Sequence, residues 1–238
     1  MVKRAVLFDL GGTLVQYFEK SEFPGILMQA ITEVQGYLRR EGLLNISSES
    51  MWRKVQEEDY EAKDYSVRPL EERLARIFQL DAAVRTNELL MTICRLFMKP
   101  IFARGQCYED SLSVLRELRL RRFKTGIVSN TTWGSPAILW REEIKRLGLD
   151  KLVDTAVFCR DTGWRKPARQ VFQLTLRNLH LNPQDCVFVG DDPRWDLIGP
   201  RAVGIKAVLI DRQGVFQDAE EEPIKNLYEL LDRPQLLQ

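Results

Sequence analysis

Val6-Leu7-Phe8 is an apolar run of strand length that ends on Asp9 and breaks at once into Gly11-Gly12. Its composition suits a strand buried on both faces, and the paired glycines allow backbone angles that other residues resist. Asp9 is thereby expected at the carboxyl end of a strand, where open α/β sheets place their ligands. The rest of the chain is read as the support for that position.

Composition narrows the classes. A chain of 238 residues with 45% hydrophobic content can bury a sizeable core. Its 35 basic and 34 acidic residues leave a net charge of +1, so no global field points to nucleic acid or a membrane. The sequence holds no apolar run near the roughly 20 residues that span a bilayer and begins without a signal-peptide pattern, so a cytoplasmic protein is expected. Cys94, Cys107, Cys159 and Cys186 are far apart without a CxxC pair, which favours reduced, mostly buried thiols over zinc or disulfides. The one histidine, His180, is expected at a helix end facing solvent.

Helical spacing follows the first strand for a long stretch. Pro24 opens one amphipathic pattern that ends near Gly42, Ser47 or Ser48 caps a second running toward Tyr60, and others cover Leu70 to Phe78 and Asn87 to Met98. Val15 to Phe23 has no clean period. From Tyr108 the pattern alternates: strands at 124–128, 155–159, 186–189 and 206–210, with helices at 111–121, 136–147, 168–179, about 197–202 and 224–231. A polar loop is expected at Arg160 to Pro167, and a short acidic loop at Asp218 to Glu222. Such alternation predicts right-handed crossovers and a doubly wound, mostly parallel, Rossmann-like α/β sheet with an inserted helical domain. The expected division is 1–15 with 101–238 for the core and 16–100 for the insert.

Three predicted strands finish on compact polar groups: Asp9, Ser129-Asn130 and Asp191-Asp192. In a parallel sheet those ends share one edge, which Lys166 and Asp196 reach from adjacent loops. Carboxylates with one lysine and small hydrogen-bonding groups suit a hard cation of the Mg²⁺ type, since uncompensated carboxylates would repel one another. Such a cation and Lys166 would stabilise phosphoryl oxygens, Ser129 and the N–H groups around Leu10 and Gly11 would hold others, and Asp9 would attack phosphorus.

These residues resemble the haloacid dehalogenase-like hydrolase superfamily, in members with a helical cap after the first strand. Asp9 with Gly12-Thr13 is similar to its first motif, Ser129-Asn130 to the second, Lys166-Pro167 to the third, and Gly190-Asp191 with Asp196 to the fourth, in family order. The resemblance implies Asp9 as nucleophile and metal ligand, with Asp191 and the Gly11 carbonyl as further Mg²⁺ ligands. Asp192, Asp196 and Thr13 would support them. Lys166 would act on both nucleophile and substrate, and Leu10, Gly11, Ser129, Asn130 and Lys166 would contact a small phosphorylated substrate. A monomer or homodimer is expected.

One position departs from the family pattern. Its phosphatases carry an acid two residues after the nucleophile, and here that residue is Gly11. General acid–base help is typically worth about 10²- to 10⁴-fold, so good leaving groups (acyl, aryl, anomeric) are expected to fare best. The same departure keeps a metal-free 2-haloacid dehalogenase open, with Arg39, Arg40 or Arg53 gripping a carboxylate. Excess acidity at Gly190-Asp191-Asp192 favours the phosphatase. Asp-Leu-Gly-Gly-Thr also resembles the phosphate turn of actin-like sugar kinases, which needs an antiparallel second strand, and a non-catalytic binding or regulatory protein on the same fold is the remaining alternative. Trp133, Trp52, Tyr60 and Tyr65 are expected to pack rather than to touch substrate. Hinges between cap and core are expected near Val15 to Phe23 and Met98 to Arg104.

Overall fold

A computed structural model describes residues 5–58, 62–216 and 222–237. The strands are β1 (Ala5–Phe8), β2 (Val15–Gln16), β3 (Gln106–Cys107), β4 (Lys124–Ser129), β5 (Thr155–Phe158), β6 (Cys186–Gly190) and β7 (Lys206–Leu209). The first four helices are α1 (Phe23–Arg40), α2 (Ser48–Glu58), α3 (Leu70–Ile77) and α4 (Asn87–Phe102). After β3 come α5 (Ser111–Leu120), α6 (Ala137–Arg146), α7 (Cys159–Thr162), α8 (Arg169–Leu179), α9 (Pro193–Asp196), α10 (Ile198–Ala202) and α11 (Tyr228–Asp232).

Five strands form one parallel sheet in the order β5-β4-β1-β6-β7. β1 is central, with Phe8 opposite Ile127 on one side and Val189 on the other. Its side chains alternate: Leu7 joins Phe172 and Phe188 under α8, while Val6 and Phe8 enter the larger cluster on the opposite face. Full burial of each such side chain is worth about 1.5–3 kcal/mol, which is why an apolar run this short is held in place. The fold is the expected α/β, Rossmann-like one. Both neighbours of β1 are parallel, which removes the antiparallel pair that the sugar-kinase reading required.

The chain leaves β1 through a tight loop. The Leu10 carbonyl accepts the N–H groups of Leu14 (2.9 Å) and Val15 (2.8 Å), and the Gly12 N–H donates to the Val15 carbonyl (2.9 Å). β2 then pairs antiparallel with β3, so a two-stranded ribbon brackets α1–α4. Two-residue strands carry no period, which is why 15–23 reads as patternless. α1 and α4 pack their apolar stripes together, Ile26, Ala30 and Val34 sharing a cluster with Ile93 and Phe97. α4 continues past Met98 to Phe102 with Met98, Pro100 and Ile101 buried, so the stretch expected as a hinge is regular helix for most of its length.

Other differences are local. Arg160 to Thr162 is helical, as part of α7, before Gly163 in the left-handed region. Ile224 pairs with Ile210 as an isolated bridge, so the last helix begins at Tyr228. Ser47 is the cap of α2, its Oγ accepting the Ser50 N–H (3.3 Å). Tyr60 and Asp218 to Glu221 lie outside the described residues. His180 is exposed at the end of α8, and all four cysteines are free, three of them buried. Among the described residues no helix is long and apolar enough to cross a membrane.

Two predictions follow from these contacts. Gly12 has φ +84°, and a Cβ there would lie 2.4 Å from Asp191 Oδ2, whereas one on Gly11 would meet only Tyr17 carbons, at 3.5 Å and 3.8 Å. Gly12→Ala is expected to cost about 1–3 kcal/mol and Gly11→Ala well under that, by urea denaturation. In the insert, Glu58 pairs with Arg68 and with Arg76 Nε (2.6 Å), with Arg73 Nε 3.7 Å away. Burial pushes its carboxyl up, but the Arg76 bond and the three positive charges outweigh that and leave it below the usual range. Glu58→Gln is expected to lose about 1–2 kcal/mol at neutral pH. Because the folded-state pKa is the lower one, the deficit persists down to the unfolded value of about 4.3 and vanishes as pH falls through the folded value.

Candidate active site

The order β4-β1-β6 places three strand ends side by side, so Asp9, Ser129 and Asp191 meet at one edge of the sheet. The Asp9 N–H extends the ladder by donating to the Val189 carbonyl (2.9 Å). Lys166 arrives from the loop before α8, and its Nζ lies 2.5 Å from Asp9 Oδ1 and 2.6 Å from Asp196 Oδ1. All three side chains are buried, Lys166 at 2% exposure. Burial alone would depress the ammonium. The charges of Asp196 and Asp9 and their hydrogen bonds overcome it and hold Lys166 above the ordinary lysine range.

Each of the remaining predicted residues has a definite place. Ser129 lies at the end of β4 and lines the cavity, its Oγ donating to the Asn130 carbonyl (3.2 Å). Asn130, expected to contact substrate, lines the cavity and also holds the main chain of Lys166: Oδ1 accepts the Lys166 N–H (2.8 Å) and Nδ2 donates to the Lys166 carbonyl (3.4 Å). Asp196 Oδ2 accepts the Asp192 N–H (3.1 Å), so both Asp196 oxygens are engaged. The Asp192 carboxylate turns to Arg194, capping its N–H (3.0 Å) and pairing with its guanidinium (2.7 Å). Thr13 is fully buried, its carbonyl accepting from Arg212 (2.7 Å) and its hydroxyl without a partner among the described residues. Leu10 is buried and serves the loop through its carbonyl.

Asp9, Asp191 and Asp196 each bring one carboxylate oxygen within 4.8 Å of the others. One lysine cannot neutralise three carboxylates, and burial together with the charges of Asp9 and Asp196 pushes Asp191 up to about 8. Hard oxygen donors carrying excess negative charge in a buried place fit a divalent cation such as Mg²⁺. Since Lys166 and the Asp192 N–H already occupy Asp196, Asp9 and Asp191 are the carboxylates left to meet it.

The cluster opens into a cavity of about 660 Å³. Tyr17, Trp140, Trp195, Arg165 and the 210–216 segment line it and were not singled out from the sequence. Trp195 shares one helical turn with Asp192 and Asp196, a signal that was there to be read. The others rest on tertiary approach. Tyr17 packs beside Gly11 and edge-on to Trp140, with ring centroids 5.7 Å apart. Burial and the nearby Glu143 keep its hydroxyl well above the phenol range, so the wall at Gly11 is neutral.

The other aromatic residues divide. Trp133 is packed, between Phe97 (5.3 Å) and the Arg73 guanidinium (3.9 Å). Trp52 is half-buried against the larger apolar cluster. Tyr65 is not in that core: it lies in a loop at 40% exposure, edge-on to Trp195 at 6.1 Å. Arg39, Arg40 and Arg53 are exposed and do not line the cavity.

Comparison with known proteins agrees with this fold. A glyceraldehyde 3-phosphate phosphatase of Methanopyrus kandleri is 28% identical over 236 residues, covering 98% of this chain and 95% of the relative. A phosphatase structure from Thermococcus onnurineus superposes with a TM-score of 0.68 at 28% identity, covering 96% of each chain. A 2-haloacid dehalogenase structure from Pseudomonas syringae, 23% identical with a TM-score of 0.67 over 99% and 98% of the two chains, shares the fold. The family model for haloacid dehalogenase-like hydrolases matches residues 3–204, and the chain belongs to that family of hydrolases.

Proposed function

We propose that this hydrolase cleaves small phosphomonoesters with Mg²⁺, through an aspartyl-phosphate on Asp9. The observation that carries the reading is the pairing of Lys166 with Asp9 and Asp196 at 2.5 Å and 2.6 Å, with Asp191 alongside. A nucleophilic carboxylate must be ionised and aimed, and a buried ammonium on one of its oxygens does both. Relatives named as phosphatases over nearly the full chain support the same chemistry.

Asp9, Asp191 and the Gly11 carbonyl would hold the ion. When bound, Mg²⁺ supplies positive charge to the phosphoryl oxygens and relieves the repulsion among the carboxylates. The residues of the chain do the rest. The phosphoryl group is oriented by Lys166, by the Ser129 hydroxyl and by N–H groups of the Leu10–Gly11 turn. Asp9 attacks phosphorus in line, an Asp9 O–P bond forms, and the P–O bond to the leaving alcohol breaks with its electron pair on the alcohol oxygen. The departing alkoxide takes a proton from solvent; water then attacks phosphorus, the Asp9 O–P bond breaks with its electron pair returning to the carboxylate, and the proton lost by that water goes to solvent as phosphate leaves. Asn130 acts at one remove, by fixing the main chain of Lys166. The helices α1–α4 form the cap in this reading, with the core contributed by 1–15 and 101–238.

Gly11 decides which esters fare well. No acid stands there to protonate the leaving oxygen, although the position has room for one, a Cβ there meeting Tyr17 ring carbons only at ordinary contact distance, 3.5 Å and 3.8 Å. The dehalogenase reading loses support because its arginine candidates lie away from the cavity, while the acidic cluster suits a metal-dependent phosphoryl reaction.

Two measurements check this. Phosphate release from an ester panel is expected to require Mg²⁺, to stop with EDTA, and to fall by about 10³-fold or more in Asp9→Asn; chloride release from 2-chloropropionate with EDTA present would favour dehalogenase chemistry. Gly11→Asp is expected to raise turnover of alkyl phosphates by about 10- to 100-fold with little gain on aryl phosphates. Equal alkyl and aryl turnover in the parent, unchanged by the substitution, contradicts a missing acid.

A further inference from the structure

The main chain around Lys166 is held from two sides. On one, Asn130 takes the N–H and the carbonyl of Lys166 itself, at 2.8 Å and 3.4 Å. On the other stands the insert, through the segment between α2 and α3. The Arg165 N–H donates to the Tyr65 carbonyl (2.8 Å), the Val67 N–H donates to the Gly163 carbonyl (2.9 Å), and Ser66 bridges antiparallel to Trp164. A short strand of the insert is thus paired with the residues that lead directly into the lysine, and Arg165 itself lines the cavity.

Tyr65 reaches the other side of the ammonium as well. Its ring lies edge-on to Trp195 at 6.1 Å, and Trp195 immediately precedes Asp196, whose Oδ1 meets Lys166 Nζ at 2.6 Å. The chain takes φ +62° at Tyr65, a region that side chains rarely occupy unless their surroundings fix them there. The residues that follow are pinned to the core. Gly134, at φ +68°, lets the Arg68 carbonyl approach so closely that a Cβ at Gly134 would collide with it. Glu71 pairs with Arg160 (2.5 Å), and the Arg73 guanidinium stacks on Trp133 at 3.9 Å. Held at that many points, the segment is a brace between the insert and the loop that carries Lys166.

We propose that Tyr65–Val67 is a positioning element for Lys166: docking of the insert through this strand sets the ammonium against Asp9 and Asp196. The proposal rests on the phosphatase reading above, and it is additional to whatever the insert does in choosing substrate. The two roles leave different marks. A contact with the leaving group acts on some phosphates and spares others, whereas a displaced ammonium slows attack by Asp9 on all of them, and a shift of about 1 Å is enough to cost about 10²-fold.

Two substitutions outside the cavity disturb the brace by different means. Val67→Pro removes the N–H that Gly163 accepts, at a place where the preceding Ser66 is already extended, and Gly134→Ala drives the Arg68 carbonyl away. With Mg²⁺, kcat/KM is measured on acetyl, phenyl and 2-naphthyl phosphate, together with the first-turnover rate of Asp9 phosphorylation at saturating phenyl phosphate. Each variant is expected to lower kcat/KM by about 10-fold or more, by the same factor on all three within about 3-fold, and to slow first-turnover phosphorylation by that factor. Ile31→Val, which loosens the buried packing of α1 away from the brace, is expected to keep the parent's values. Melting curves verify folding, and failure of either brace variant to fold leaves the other decisive. Losses confined to the larger phosphates, no loss in a folded brace variant, or an equal loss in Ile31→Val overturns the proposal while leaving the phosphatase reading intact. Absence of phosphate release from all three by the folded parent, with Mg²⁺ present, removes the phosphatase reading and this proposal together.

Discussion

An ammonium buried between two buried carboxylates is the interaction on which this site depends. Taking such charges out of water costs several kcal/mol for each ion, and close pairing with full hydrogen bonding is what offsets it. Lys166 meets that condition at 2.5 Å and 2.6 Å, with the second Asp196 oxygen satisfied by the Asp192 N–H. Loss of one partner would leave an uncompensated charge at a cost of about 3–5 kcal/mol. In the proposed reaction the arrangement couples stability to chemistry: the group that makes Asp9 tolerable in the interior is also the one assigned to a phosphoryl oxygen.

The sheet supplies the positions that the pairing needs. Asp9 and Asp191 stand at the ends of adjacent parallel strands, and a side chain on Gly12 would displace the latter. Asn130, one residue beyond β4, uses an amide to clamp both main-chain polar groups of Lys166, so the lysine is set by the strand next to the one carrying its partner. Ribbon, loop and aromatic wall are then arranged around a cluster that is already fixed.

Much of this was legible in the residues. Strands that end in Asp9, Ser129-Asn130 and Asp191 carry their own boundaries, because an apolar run stops where a polar group begins. The alternation after Tyr108 dictates that those ends converge. The parts that escaped have no local signature. β2 and β3 are two residues each, and their pairing joins positions some ninety residues apart. Tyr17 and the 210–216 loop reach the cavity through tertiary contacts that no periodicity encodes. Tyr65 packs, but against Trp195 from a loop where the chain takes φ +62° and not in the core, a placement that no periodicity encodes. The helical pattern reads only to Met98, yet α4 runs on through the buried Pro100 to Phe102.

The central claim is that Asp9 forms a covalent bond to phosphorus, and quenching a reaction in progress tests it most directly. With Mg²⁺ and a ³²P-labelled aryl phosphate, acid quench within the first turnover is predicted to leave label on the peptide containing Asp9, released by hydroxylamine as an acyl phosphate is. Steady phosphate release from the same ester, with no protein-bound label at any quench time or with label on a peptide lacking Asp9, would contradict the account.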